Sequence, residues 1–166
     1  MSDGRTAICP GTYDPVTNGH LDIITRAARV FDRVVVGVVN QPVRKQQTMF
    51  DAQQRRRFIE EAVAGNGIDN VDVAVFSTLL VEFAREHGAG AIVKGLRAIS
   101  DFEYEFEMNQ LNRKLAPEIE SVYIIASPDY SFLSSTGVKE MATFGGDVSD
   151  LVPPPVARAL ADRAPR

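Results

Sequence analysis

Short apolar runs alternate along the chain with longer segments in which apolar residues recur every three or four positions. The runs are Thr6 to Cys9, Arg33 to Val39 (RVVVGVV), Val71 to Phe76, Ala91 to Lys94 and Ser121 to Ala126. Their near-continuous Val, Ile and Ala content predicts strands covered on both faces. The segments between them, His20 to Phe31, Asp51 to Ala64, Thr78 to His87 and Ser100 to Leu115, predict helices. Two carry a start signature, Asp51 with Gln54 and Ser100 with Glu103, each an acceptor followed three residues on by a reciprocal partner. In the longest segment Met108, Leu111 and Leu115 fall at i, i+3 and i+7, which predicts a core-facing stripe and leaves Glu103, Glu105, Glu107 and Arg113 mostly to water. Gly88 and Gly90 predict the end of the third helix, and Pro153 to Pro155 the start of a short final one. Strands alternating with helices predict one α/β domain over residues 1–166, a doubly wound, parallel five-stranded sheet with helices on both faces.

Composition narrows the classes. At 166 residues the chain is long enough to bury a sizeable core without disulfides. Its single cysteine, Cys9, lies in the apolar segment TAICP and reads as a buried strand residue, so neither a disulfide framework nor a cysteine metal site is expected. No run approaches the roughly 18 apolar residues of a membrane span, and MSDGRTAI lacks signal-peptide character. A cytoplasmic protein with no membrane partner is expected. With 18 basic and 22 acidic side chains the net charge is −4, which argues against a broad nucleic-acid surface. An anionic ligand would have to meet locally clustered cations.

Doubly wound sheets bind ligands at the carboxyl ends of their strands, where the strand order reverses. After the first strand the chain reads GTYDPVTNGH. Gly11 offers backbone freedom, Pro15 stiffens the turn, and Gly19 and His20 fall at a helix start whose amides and dipole favour an anion. Thr12 and Thr17 can donate hydroxyl hydrogen bonds there, and His20 adds an imidazole. Taken singly these are ordinary loop and capping residues. A second candidate is SPDYSFLSSTGVKE, in which Ser134, Ser135 and Thr136 lead into a helix carrying Lys139. It reads equally as a serine-rich N-cap and as a triphosphate grip. A third is KGLRAISDFEYE, which places Lys94 and Arg97 at the end of the fourth strand, with Gly95 between them.

The three strings, in this order, resemble the nucleotidyltransferase superfamily that includes the class I aminoacyl-tRNA synthetases. TNGH, Thr17 to His20, is similar to its T/H-x-G-H element and SSTGVK to its S-S-T-x-x-K/R element. PGTYDPVTNGH, KGLRAISDFEYE and GGDVSDLVPP bring the likeness closest to one branch, the phosphopantetheine adenylyltransferases, over nearly the whole chain. The resemblance implies a Rossmann-like fold and transfer of the adenylyl group of ATP to 4′-phosphopantetheine, giving dephospho-coenzyme A and pyrophosphate.

It also implies roles. Thr12, His20 and Lys45 would be catalytic, with His20 acting on the α-phosphoryl group. ATP would meet Thr12, Tyr13, His20, Gly95, Leu96, Arg97, Glu105, the stretch Tyr130, Ser131, Phe132 and Leu133, then Ser134, Ser135, Thr136 and Lys139. The acceptor would meet Thr12, Arg44, Lys45, Leu79, Leu80 and Lys94. Mg²⁺ would ride on the triphosphate without a protein cage. A homohexamer and feedback by coenzyme A are further family expectations. Two departures stand out: the loop NQPVRKQQTMF is longer than usual, so Lys45 or Arg44 could fill the family's loop-lysine role, and Gly137 stands where a larger residue is common. Leu79 and Leu80 read as well as helix core. Alternatives are a sister transferase acting on nicotinamide mononucleotide or a cytidine nucleotide, a nucleotide-binding regulatory module, and a flavodoxin-like signalling domain.

Overall fold

The structure is a computed structural model that describes residues 4–43 and 47–163, without the side chains of Ile99 and Ser100. Arg44 and Lys45 therefore lie outside the described residues. The elements in chain order are β1 (Thr6–Gly11), α1 (Asn18–Val30), β2 (Arg33–Val39), α2 (Ala52–Gly65), β3 (Val71–Phe76), α3 (Leu80–Glu86), β4 (Ala91–Leu96), α4 (Ile99–Leu115), β5 (Glu120–Ile125), α5 (Ser135–Thr143) and α6 (Pro154–Arg163). A single 3₁₀ turn, Pro128–Tyr130, leads from β5 towards α5.

All strands pair in parallel in the order β3-β2-β1-β4-β5, so the winding reverses between β1 and β4. β1 runs beside β2 over six residue pairs, Thr6 with Arg33 through Gly11 with Val38. It meets β4 only at Ala7 with Ala91 and Ile8 with Ile92. Beyond Ile8 the two central strands part, and their carboxyl ends open a crevice where the winding turns over.

Side chains alternate across the sheet, and β1 to β4 each feed two cores. Ala7, Cys9, Val34, Val36, Val38 and Val93 face the cluster that α1, α2, α5 and α6 cover, while Ile8, Val35 and Ile92 face Phe76, Val81, Phe83 and Ala84 on the other side. On that second side Phe76 and Phe83 stack with centroids 4.4 Å apart, and a Cβ on Gly37 would lie 2.8 Å from the Phe83 ring, so glycine is what lets α3 close onto β2. Burial pushes the Cys9 thiol up to about 12, which makes it an inert packing residue.

Helix starts follow side-chain chemistry where it is present. Asp51 accepts from the Gln54 amide at 2.8 Å while the Gln54 side chain accepts from the Asp51 amide at 3.1 Å, the reciprocal pair that the spacing predicts. Gly88 ends the turn after α3 with φ +64, as expected of a left-handed position.

Four expectations are corrected. α4 starts after Ala98 with no side-chain cap, so Ser100 is not its N-cap. Leu111 and Leu115 are 51% and 52% exposed, so the stripe is not a core face of this chain. Glu105 turns inward to an ion pair instead of facing water. β5 is one of the sheet's two edges and is only half-buried, with Ile125 66% exposed, so it is not covered on both faces. Periodicity marks an apolar stripe, but it does not say whether the partner lies in the same chain.

Candidate active site

The stretch after β1 is held by buried polar contacts. Tyr13 has φ 53, a left-handed conformation uncommon for a side chain with a Cβ, and its hydroxyl donates to the Cys9 carbonyl at 2.9 Å. Burial raises the Tyr13 phenol well above its usual range, so it stays protonated as that donor. A Cβ on Gly11 would lie 2.9 Å from the Tyr13 ring. Gly11 thus supplies space, while the unusual backbone angle falls on Tyr13. The Asp14–Pro15 peptide is cis.

Asp14 is 1% exposed and accepts three hydrogen bonds: from the amides of Met49 at 2.8 Å and Phe50 at 2.9 Å, and from Lys139 Nζ at 3.0 Å. One carboxylate therefore ties the first turn to the chain entering α2 and to the side of α5. The Ser135 hydroxyl donates to the Pro15 carbonyl at 2.8 Å, a second tie between the two motifs. Among the described residues every buried side-chain nitrogen or oxygen has a partner.

α1 opens with a capping box of unusual composition. Thr17 Oγ1 accepts from the His20 amide at 3.3 Å, and His20 Nδ1 accepts from the Thr17 amide at 2.9 Å. Accepting at Nδ1 places the proton of a neutral imidazole on Nε2 and fixes the ring plane. The Tyr13 ring meets it edge-on, centroids 5.0 Å apart. His20 is therefore an oriented Nε2–H donor at a helix amino end.

Across the crevice, Gly95 lies under α1, where a Cβ would come 2.9 Å from Ile23. Lys94 Nζ pairs with Glu105 at 2.8 Å, both side chains about one-fifth exposed, and the Tyr123 hydroxyl donates to the Glu105 carbonyl at 3.1 Å. Burial, and then Glu105, raise the Tyr123 phenol. Arg97 Nη1 donates to the Leu133 carbonyl at 2.8 Å and its Nε to Asp101 at 3.3 Å. The β4 edge is thereby joined to the segment before α5. There Ser134 caps the helix by accepting from the Gly137 amide at 3.1 Å, so Gly137 leaves an ordinary helix start; Thr136 is exposed. Leu79 is 60% exposed at the carboxyl end of the sheet, and Leu80 is half-buried against the second core.

The turn carrying Thr12, Tyr13 and His20 is thus joined to Ser135 and Lys139 through Asp14 and Pro15, while at the other strand end Arg97 joins Leu133 and Lys94 joins Glu105. Two residues escape the sequence reading. Asp14 is hidden because Asp before Pro is ordinary turn vocabulary. Arg55 sits in an Arg-Arg-Arg run that resembles a solvated face, yet it lies four and seven residues before the buried Ile59 and Ala62. That spacing puts it on the buried stripe and is the signal that marks it. Among the described residues no group of three His, Cys, Asp or Glu side chains is placed to hold a metal ion.

Known proteins resemble this chain over most of its length. Residues 8–141 match the cytidylyltransferase-like family model. The chain is 47% identical over 160 residues to the phosphopantetheine adenylyltransferase of Alkaliphilus metalliredigens, covering 96% of this chain and 99% of that one. It is 56% identical over 147 residues to the phosphopantetheine adenylyltransferase of Rubrobacter xylanophilus, covering 89% and 87%. The chain belongs to the phosphopantetheine adenylyltransferase family. Its fold is shared more widely: a Vibrio parahaemolyticus protein described as a nicotinate-nucleotide adenylyltransferase superposes with a TM-score of 0.70 at 18% identity, over 96% of this chain and 92% of that one. Among the described residues no helix is long and apolar enough to cross a membrane.

Proposed function

We propose that this member of the phosphopantetheine adenylyltransferase family transfers the adenylyl group of ATP to 4′-phosphopantetheine, releasing dephospho-coenzyme A and pyrophosphate. The observation that carries the reading is the Lys139 to Asp14 contact of 3.0 Å, which sets the hydroxyl-rich helix start beside the histidine turn at the reversal edge of the sheet.

The reaction is an in-line displacement. An oxygen of the acceptor phosphate forms a bond to the α-phosphorus as the bond from that phosphorus to the bridging β-oxygen breaks, and pyrophosphate leaves with the electron pair. No covalent enzyme intermediate is needed, so the protein aligns and neutralises. His20 donates from Nε2 to the α-phosphoryl oxygens as charge builds there. The amino end of α5, with Ser134 to Thr136, and the cations Lys139 and Arg97 hold the β and γ phosphates. Lys139 has three donors, so it can meet a phosphate while keeping Asp14. Tyr130 to Leu133, Gly95 and Leu96 flank the adenosine, and Glu105 adds an acceptor.

Thr12 orients the acceptor phosphate together with a loop cation, Lys45 or Arg44. Lys94 receives that phosphate by sharing its charge with Glu105, and Leu79 and Leu80 border the pantetheine arm. Mg²⁺ would come with the triphosphate as part of the substrate and would supply charge neutralisation there, with no cage of side chains needed to hold it. The reading further assigns a cytoplasmic location, feedback by coenzyme A at the same edge, and a homohexamer whose contacts use apolar residues that one chain leaves exposed.

Pyrophosphate release from MgATP is the test, run in parallel with phosphopantetheine, nicotinamide mononucleotide and a cytidine nucleotide. Turnover with phosphopantetheine alone supports the assignment. Preference for another acceptor moves the chain to a sister transferase, and ATP binding without turnover makes it a regulatory module.

A further inference from the structure

We propose that Arg55 is a positioning residue for the acceptor side of the reaction: a buried guanidinium that fixes the main chain at Thr12 and at both stems of the segment joining β2 to α2. The role rests on the adenylyl-transfer reading above.

Arg55 is 1% exposed. Its Nε donates to the Phe50 carbonyl at 3.0 Å, its Nη1 to the carbonyls of Thr12 and Val39 at 2.8 Å each, and its Nη2 to the Asn40 carbonyl at 3.0 Å. Those four oxygens come from three separate places: the turn after β1, the end of β2, and the residue before the α2 cap. Only a planar fork with donors on three nitrogens spans them; a lysine ammonium places its donors on a single atom. Burial lowers the guanidinium pKa against the smaller opposing fields of Asp14 and Asp51, and an arginine in a protein keeps its charge.

Ile59, Ala62 and Val63 continue the same stripe of α2 into the core, and an apolar residue at position 55 would leave the four carbonyls without their donor. What an apolar residue could not do is hold four carbonyls at set positions on the ligand-binding edge. One of them belongs to Thr12, whose hydroxyl meets the acceptor in the proposed reaction. Another belongs to Asn40, which lines a polar groove with Thr48, Asp51 and Arg55 itself. Arg55 touches backbone oxygens and acts on substrate through Thr12 and the two stems. Asp14 holds Met49 and Phe50 by their amides, so Phe50 is gripped at its nitrogen by an anion and at its oxygen by a cation.

Full-length Arg55→Lys and Arg55→Gln, checked for folding by circular dichroism, are compared with wild type. The expected result is a rise in the phosphopantetheine KM, or a fall in kcat at saturating ATP, of roughly 10- to 100-fold, the scale of a small misplacement near the reacting atoms. The ATP Kd should stay within about twofold, since uniform loss of binding is a different signature. A parallel loss of ATP affinity, or folded variants with unchanged acceptor kinetics, would overturn the proposal. Nuclear magnetic resonance of wild type needs no variant: the staple requires distinct, slowly exchanging Arg55 guanidinium protons, and one averaged, rapidly exchanging signal refutes it. Absence of wild-type turnover with phosphopantetheine would sink the functional reading, while the guanidinium signal would still judge the staple.

Discussion

The two sides of the crevice are built differently. On the β1 side, Asp14, Thr17, Tyr13 and Arg55 are nearly inaccessible, and their polar atoms are saturated by bonds within the chain. On the β4 side, α4 carries Phe102 and Phe106 at 53% exposure each and Leu111 and Leu115 at 51% and 52%, and the ion pair Lys94 with Glu105 is partly open to solvent. The first side is completed by its own sequence; the second presents apolar surface on which one chain places little. A site that must align two anionic substrates can keep one wall rigid and let the other be finished by further contacts. The proposed hexamer and the ligands are candidates for those contacts.

The contrast is tested most severely at Asp14. Asp14→Ala leaves the amides of Met49 and Phe50 without their acceptor and Lys139 without its counter-charge, so the unfolding free energy should drop by about 3 kcal/mol, the lower end for breaking a buried pair because Lys139 is one-fifth exposed. Urea denaturation measures this, and a loss under about 1 kcal/mol would show that the β1 wall is not held as described. Next comes His20→Ala, for which kcat should fall roughly 10²-fold while the ATP Kd scarcely changes. Equal losses in both would make His20 a binding residue.

A smaller effect should separate the walls by pH. Burial raises the Cys9 thiol, so the stability that comes from keeping it neutral is complete below the ordinary thiol value. It is lost as pH climbs from there towards about 12. Denaturation between pH 8 and 11 should therefore show a declining stability that is less steep in Cys9→Ala; identical slopes would mean that the β1 wall admits hydroxide. The smallest change is expected on the other wall. Phe102→Ser with Phe106→Ser should alter the unfolding free energy of a single chain by no more than about 0.5 kcal/mol per site. Sedimentation should nevertheless shift to smaller species, and an unchanged sedimentation profile would remove α4 from any interface.

Much of this arrangement is written locally. β2 spans Arg33–Val39, as the run of valines predicts, because a strand covered on both faces needs continuous apolar residues, and β3 spans Val71–Phe76 as predicted, with Asp72 exposed at the sheet edge. The α2 cap is equally local, since Asp51 and Gln54 satisfy each other three residues apart. The spaced strings around His20, Arg97 and Lys139 were legible as a candidate site, and hydrogen bonds tie their segments together at one end of the sheet. What the sequence could not settle are relations between distant residues. Asp14 meets Lys139 across 125 positions and Arg55 meets Thr12 across 43. Which of three consecutive arginines is buried depends on the helix phase against the sheet, and whether Leu111 and Leu115 are core depends on what lies opposite α4. Hydrophobic period and capping chemistry act over a few residues and were decided by the sequence alone; the pairing of buried charges and the fate of an apolar stripe depend on distances that only the packed chain sets.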